Sequence, residues 1–274
     1  MTHRRGIVDG LSEDVYHSDP HTLSTSGAKT LLVSPRRYQW ERANGSKSSA
    51  AMDFGTLCHA LTLRSRDKRL AVLPYPDWRT KKAQEAKAEA EQDGFIPVLS
   101  RDVRKAIRVA QAVHAHPVAG ALLADGRPEV SMFWDEEIPL DDGSSHVIGL
   151  RARVDWWHPR CTVDLKTTGR DGGAEPDAFA RQAASLDYPM SAAHYTDGRA
   201  ELTGETVPFI TITVETEPPW FVTVSQYHPD DLAAGRARMA RAKHEFAARS
   251  LSGVWDDTTE IVTLPVPAWY GRTA

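Results

Sequence analysis

Residues 149 to 168, GLRARVDWWHPRCTVDLKTT, constrain the fold more than any other stretch. They read as two β-strands joined by a short turn at His158-Pro159-Arg160, where proline removes a backbone donor and biases the chain to bend. The first strand is expected to end near Asp155, and the second carries Asp164, Leu165 and Lys166. Side chains alternate faces along a strand, so Asp164 and Lys166 share one face and Leu165 takes the other. Two carboxylates and a lysine thus meet at the end of a hairpin, an arrangement suited to holding a metal and cutting phosphodiesters.

The flanking segments supply the layers such a hairpin needs. Residues 1–23 read as an extended lead-in. Ser24, Thr25 and Ser26 offer N-cap oxygens to a helix carrying Ala28, Leu31 and Leu32, and Ser34-Pro35 ends that helix and opens another. Residues 44–49 are a polar loop. Residues 51–64, AMDFGTLCHALTLR, form a helix with apolar residues on most sides, hence a buried one, with Gly55 and His59 on one face. Residues 70–79 look irregular. Residues 80–93 are an exposed helix stopped by Gly94, and 100–124 a long amphipathic helix capped by Ser100, with His116-Pro117 as its weak point.

Beyond Asp125-Gly126 the period changes to two. Glu129, Ser131 and Phe133 alternate with Val130, Met132 and Trp134, and Asp141-Asp142-Gly143 signals a hairpin turn. Three sequential strands therefore form an antiparallel meander. A Gly and Asp loop at 169–175 leads to one helix over 176–196, with Tyr188, Ala192 and Tyr195 on one face. Residues 206–215 and 220–227 pair as strands, 229–250 is helical with Gly253 past its end, and Trp255, Trp269 and Tyr270 anchor an extended tail. The order fits a single compact α/β or α+β domain over 1–274, its helical N-terminal portion (about 1–125) packed on a core of about 126–274.

Bulk properties exclude other classes. The sequence contains no apolar run near the roughly 18 residues of a membrane span and no signal-peptide core at its start. Two cysteines, Cys58 and Cys161, cannot build a disulfide framework, which makes a reducing cytoplasm the expected location. The net charge of −4 does not advertise nucleic-acid binding. Local runs do: Lys29, Arg36, Arg37, Arg42 and Lys47; Arg64, Arg66, Lys68 and Arg69; Arg236, Arg238, Arg241, Lys243 and Arg249. Each run also reads as an ordinary solvated helix face.

Phosphodiester cleavage needs hard cations to neutralise charge and activate water, and Mg²⁺ takes oxygen ligands. Asp155, Asp164 and the Leu165 carbonyl supply oxygens, Lys166 can orient or deprotonate the water or stabilise the pentavalent transition state, and Glu129 is a third carboxylate. A histidine on a buried helix such as His59 is ordinarily a core residue.

Taken in order, Glu129, then Gly149 to Asp155, then Asp164-Leu165-Lys166-Thr167 resembles the PD-(D/E)xK nuclease superfamily. The outlying pieces are similar to one branch, the phage-type recombination exonucleases related to exodeoxyribonuclease VIII. They are Tyr16-His17, Leu23-Ser24-Thr25-Ser26, Pro35 to Tyr38, Gly55-Thr56-Leu57-Cys58-His59, Glu129 to Trp134 and Pro265 to Trp269. The resemblance implies an α/β fold with a restriction-endonuclease-like central mixed sheet flanked by helices. It implies a Mg²⁺ or Mn²⁺ centre in which His59, Asp155, Asp164 and the Leu165 carbonyl are ligands, with Lys166, Asp164, Asp155 and Glu129 catalytic. It places Ser24, Ser26, Arg36, Arg37, Tyr188, Ser191 and Tyr195 against the substrate. The activity implied is 5′-to-3′ exonucleolysis of linear double-stranded DNA that leaves 3′ overhangs for recombination. The partners implied are a single-strand annealing protein and further copies of the chain in a ring, with host cytoplasm as the setting if a phage encodes it.

The sequence departs from the branch in the helix after the core strands, where Ser191 stands in place of a glutamine; Gln182 lies earlier in the same region. Tyr188 and Tyr195 also suit ordinary packing on the sheet. Two other readings compete. A Cas4-like or helicase-linked nuclease would need four cysteines for an iron–sulfur cluster. A catalytically inactive DNA-binding relative or a DNA mimic would not need to keep Asp155, Asp164 and Lys166 together.

Overall fold

The protein is described by a computed structural model that covers residues 4–45, 50–64, 70–169, 173–257, 261 and 263–265. The loop residues 46–49, the basic run 65–69, the loop centre 170–172, and the tail with Trp269 and Tyr270 lie outside the described residues.

The N-terminal portion is more structured than an extended lead-in. It contains β1 (Gly6–Val8), α1 (Glu13–His17) and β2 (Thr22–Leu23). Ser24 then accepts the Gly27 amide and starts α2 (Thr25–Val33), and Ser34 with Pro35 starts α3 (Pro35–Asn44). The buried helix is α4 (Ala50–Thr62). The stretch expected to be irregular holds β3 (Leu70–Leu73), which pairs in parallel with β4 (Ile96–Leu99) around α5 (Lys81–Gln92). Strands of two to four residues are too short to show a period, which is why pattern reading passes over them. The long helix breaks where proline intervenes: α6 (Ser100–Ala115) ends at His116, whose Nδ1 accepts the Ala119 amide to cap α7 (Pro117–Leu122). Ser100 is the first residue of α6 rather than its cap, and its hydroxyl donates to the Leu73 carbonyl.

The meander follows as expected: β5 (Arg127–Pro139), β6 (Ser145–His158) and β7 (Cys161–Thr168) pair antiparallel in sequence. The first strand of the hairpin continues past Asp155 to His158, whose Nδ1 accepts the Arg160 amide and closes the turn. The helix expected over 176–196 is two, α8 (Pro176–Ser185) and α9 (Tyr188–Thr203), because Asp187 adopts a left-handed φ of 52° and ends the first. Tyr188 therefore opens α9 rather than lying mid-helix. Then come β8 (Phe209–Glu215), β9 (Val222–Ser225) and α10 (Pro229–Ser252), ended by Gly253 in the left-handed region.

The central sheet runs β1-β5-β6-β7-β8-β9, with β2 also paired to β6. The β7–β8 and β2–β6 pairs are parallel and the others antiparallel, so the sheet is mixed and mostly antiparallel. Period-two alternation gives it two apolar faces. On one, Val130, Met132, Leu150 and Val154 pack against Leu31 of α2, Met190 of α9 and Phe246 of α10. On the other, Val163, Leu165, Ile210 and Ile212 pack against Leu57 and Cys58 of α4 and Val109 and Val113 of α6. Cys58 and Cys161 are buried free thiols.

One irregularity positions the site. β6 offers its second edge to β7 only at Trp156–His158, and to β2 only at Gly149–Leu150. The sheet forks there, and residues 151–155 face the opening between the two prongs.

Candidate active site

Asp155 stands where β6 and β7 part. Its Oδ2 accepts the Leu165 amide at 2.8 Å, so a side chain does what the next backbone carbonyl of the ladder would have done. N–H and C=O of a strand residue lie on the same edge, so the Leu165 carbonyl emerges into the same opening. The Leu165 side chain is fully buried under α4 and α6, which fixes the backbone it belongs to.

His59 reaches the opening from α4, its Nδ1 3.6 Å from Asp155 Oδ2. One turn earlier, Gly55 faces Thr167, where an added Cβ would sit 3.5 Å from Thr167 Oγ1, an ordinary contact. Beside them Lys166 Nζ lies 2.5 Å from Asp164 Oδ2, as shared sidedness on β7 requires. Burial raises the Asp164 pKa and the Asp155 charge adds to this, while Lys166 opposes both. Burial works against the Lys166 ammonium, but Asp164 and Asp155 outweigh it and hold the pKa above its ordinary value. In its cationic form Lys166 is suited to stabilising negative charge.

Tyr188 lies under this pair, with Lys166 Nζ 5.0 Å from its ring centroid. Lys29 of α2 approaches the same ring at 5.6 Å and donates to Ser191 Oγ at 3.0 Å. Tyr195 sits deeper, packed on Phe209; burial, then the nearness of Tyr16, Asp164 and Asp155, lifts its pKa well above the ordinary value. Glu129 is opposite Asp155 in the β5–β6 register, between the pairs Pro128–Trp156 and Val130–Val154, and has a left-handed φ of 51°. Its carboxylate is bound by Arg153 Nη2 at 2.5 Å.

The remaining candidates have other partners. Ser24 Oγ caps α2 and lies 3.1 Å from Ser26 Oγ. Arg36 and Arg37 are exposed on α3, where Asp257 accepts the Arg36 amide. Gln182 accepts the Thr168 hydroxyl at the end of β7, while the hydroxyl of Ser191 meets Lys29. Sequence reasoning placed Lys29 only in a basic run and gave Arg153 no role. The visible signal for Arg153 is its spacing of two from Asp155 along β6, which puts both on one face.

Among the described residues no three His, Cys, Asp or Glu side chains already converge into a complete metal-binding group. His59 and Asp155 are in contact, and Asp164 is turned to Lys166. One imidazole, two carboxylates and a carbonyl nonetheless fit Mg²⁺ or Mn²⁺ in kind, the imidazole favouring Mn²⁺.

The chain matches known proteins in fold more than in sequence. A crystal structure of a protein from Eubacterium rectale, described as a candidate exonuclease, superposes with a TM-score of 0.62 at 15% identity, covering 97% of this chain and 99% of that one. That likeness shows the fold. A second structure, of SSO0001, is 11% identical, covers 77% of this chain and 99% of that one, and reaches a TM-score of only 0.27, too low to carry an argument. No curated protein matches the sequence. The family described as "PDDEXK-like domain of unknown function (DUF3799)" matches residues 24–251, a span that runs from the α2 cap to the end of α10 and contains His59, Asp155, Asp164 and Lys166. The chain therefore belongs to this PDDEXK-like family, and through it to the PD-(D/E)xK nuclease superfamily.

Proposed function

We propose that the chain is a metal-dependent DNA exonuclease acting 5′-to-3′ on linear double-stranded DNA and leaving 3′ single-stranded overhangs. The observation that supports this reading is the fork. Asp155, Asp164, His59 and the Leu165 backbone gather about one opening, with a cationic lysine beside them. Mg²⁺ or Mn²⁺ held by His59, Asp155, Asp164 and the Leu165 carbonyl would supply Lewis acidity and an activated water.

The chain's own groups do the rest. Lys166 keeps positive charge where the phosphorane gains negative charge, and Asp164 with the Tyr188 ring holds that ammonium in place. Asp155 ties β6 to β7 through the Leu165 amide, which holds the carboxylate and the Leu165 backbone together.

A protein of net charge −4 holds DNA if its basic groups are concentrated on the surface that meets the duplex. A ring-like homo-oligomer with a basic channel would do this, and a single-strand annealing protein would take up the overhang.

The test is digestion of 5′-labelled linear duplex and of closed circular DNA with Mg²⁺, Mn²⁺ or chelator, alongside Lys166→Ala. We expect shortening of the linear duplex only, with metal only, and no turnover by the variant. Cutting of the closed circle rejects exonucleolysis, and an inert wild-type chain rejects nuclease activity altogether.

A further inference from the structure

Among the described residues, Lys29 is a half-buried cation with no carboxylate in direct contact. Its ammonium donates to the Leu186 carbonyl at 2.8 Å and to Ser191 Oγ at 3.0 Å, both neutral. Two carboxylates act on it through space, Asp187 and Asp164. Each is already bound: Asp187 by Arg238 at 2.6 Å, Asp164 by Lys166 at 2.5 Å. Burial pulls the Lys29 pKa down to about 8, Asp187 opposes this, and the charge of Lys166 adds to the fall. Neutral hydrogen bonds compensate a cation poorly, so this ammonium has more to gain from an anion than a surface lysine does.

Its place matters as much as its state. The Tyr188 ring carries Lys29 at 5.6 Å and Lys166 at 5.0 Å, so two cations from separate elements converge on one aromatic residue. One belongs to α2 and the other to β7.

We propose that Lys29 is a phosphate-binding residue of the active site. Its ammonium leaves Leu186 and Ser191 to hold the oxyanion of the phosphodiester next to the one that is cut. This rests on the nuclease reading and adds to it a residue that meets the substrate strand. The flexible lysine stem allows the move, and a point charge serves a phosphate without demanding one fixed geometry. The competing role is a latch, in which Lys29 serves only to hold the carbonyl past the end of α8.

The experiment compares wild type, Lys29→Gln and Lys29→Arg on linear duplex DNA with Mn²⁺, from about 50 to about 200 mM salt, with a thermal melt of each. The glutamine amide can still donate to the Leu186 carbonyl, so a pure latch survives while the charge is lost. We expect kcat/KM to fall at least about tenfold in Lys29→Gln, and its logarithmic salt slope to become shallower by about one. We also expect a near-unchanged melting temperature and recovery of most activity in Lys29→Arg. An unchanged slope and unchanged kcat/KM overturn the proposal, as does a loss that tracks melting temperature with the slope intact.

A second readout needs no variant. Bound duplex DNA in Ca²⁺ should protect Lys29 of the wild type from acetylation, and equal labelling with and without DNA overturns the proposal. Wild-type chain that cuts DNA while Lys29→Gln matches it defeats this inference alone. Wild-type chain that protects Lys29 yet never cuts defeats the nuclease reading and leaves the phosphate site standing.

Discussion

The Leu165 amide donates to Asp155 Oδ2 across the gap where β6 and β7 have ceased to pair. One carboxylate thus has a structural bond and a candidate ligand role, and the two can be separated. Asn at position 155 retains an acceptor for the amide but loses the charge. We expect Asp155→Asn to unfold in denaturant within about 1 kcal/mol of wild type and to be inactive. Asp155→Ala orphans the amide and should lose about 1–3 kcal/mol as well. Equal stability of the two variants would show that the hydrogen bond carries no weight.

His59 is the ligand candidate that sequence alone could not tell from a core histidine. It contacts Asp155 and is only partly buried. His59→Ala should raise the Mn²⁺ concentration needed for half-maximal activity by about tenfold or more, with little change in melting temperature. A metal titration that superimposes on wild type would return His59 to the core.

His194 gives the fold a pH dependence of its own. Its Nε2 donates to the Arg151 carbonyl, and its Nδ1 is buried with no partner among the described residues. Burial, with Lys243 adding, lowers its pKa to about 3. The unfolded chain binds that proton near pH 6.5, so the fold is penalised as pH drops through the window between the two values. From pH 7 to pH 5 this amounts to about 2 kcal/mol, and none of it arises above pH 7. Denaturation of wild type and His194→Asn at both pH values should show the gap; parallel losses in the two proteins would contradict the assignment.

Gly235 lets α10 lie directly on the start of α9. A Cβ there would stand 2.5 Å from the Pro189 carbonyl oxygen and 2.6 Å from its carbon. Gly235→Ala should therefore cost about 1–3 kcal/mol, despite alanine's better helix propensity. Since Pro189 follows Tyr188, turnover should fall too. Melting and nuclease assays on the same preparation check both.

How far the sequence reached depended on the range of the contacts involved. The β5–β6–β7 meander was legible because it rests on local period and turn chemistry, as were the caps at Ser24, Ser34 and Gly253. The sidedness of Asp164 and Lys166 followed from strand geometry alone. The fork was not legible, because it arises from β2 pairing with a strand far along the chain, and a two-residue strand has no period to detect. Lys29 and Arg153 were missed for a related reason: their partners Ser191 and Glu129 come from other elements. The break at Asp187 was hidden because nothing in its neighbours' pattern marks a left-handed φ.

The fork also orders events in time. The β6–β7 hairpin closes over a turn of two residues, whereas β2 and α4 join it only across long stretches of chain, a slower step because longer loops cost more entropy to close. The strands bearing Asp155 and Lys166 should form early, and His59 should arrive late. Pulse-labelled hydrogen exchange during refolding should protect the Trp156 and Trp157 amides before those of β2; simultaneous protection would speak against this sequence. A nascent or partly folded chain would then hold its carboxylates and lysine together before α4 docks, with His59 the last of the candidate ligands to arrive.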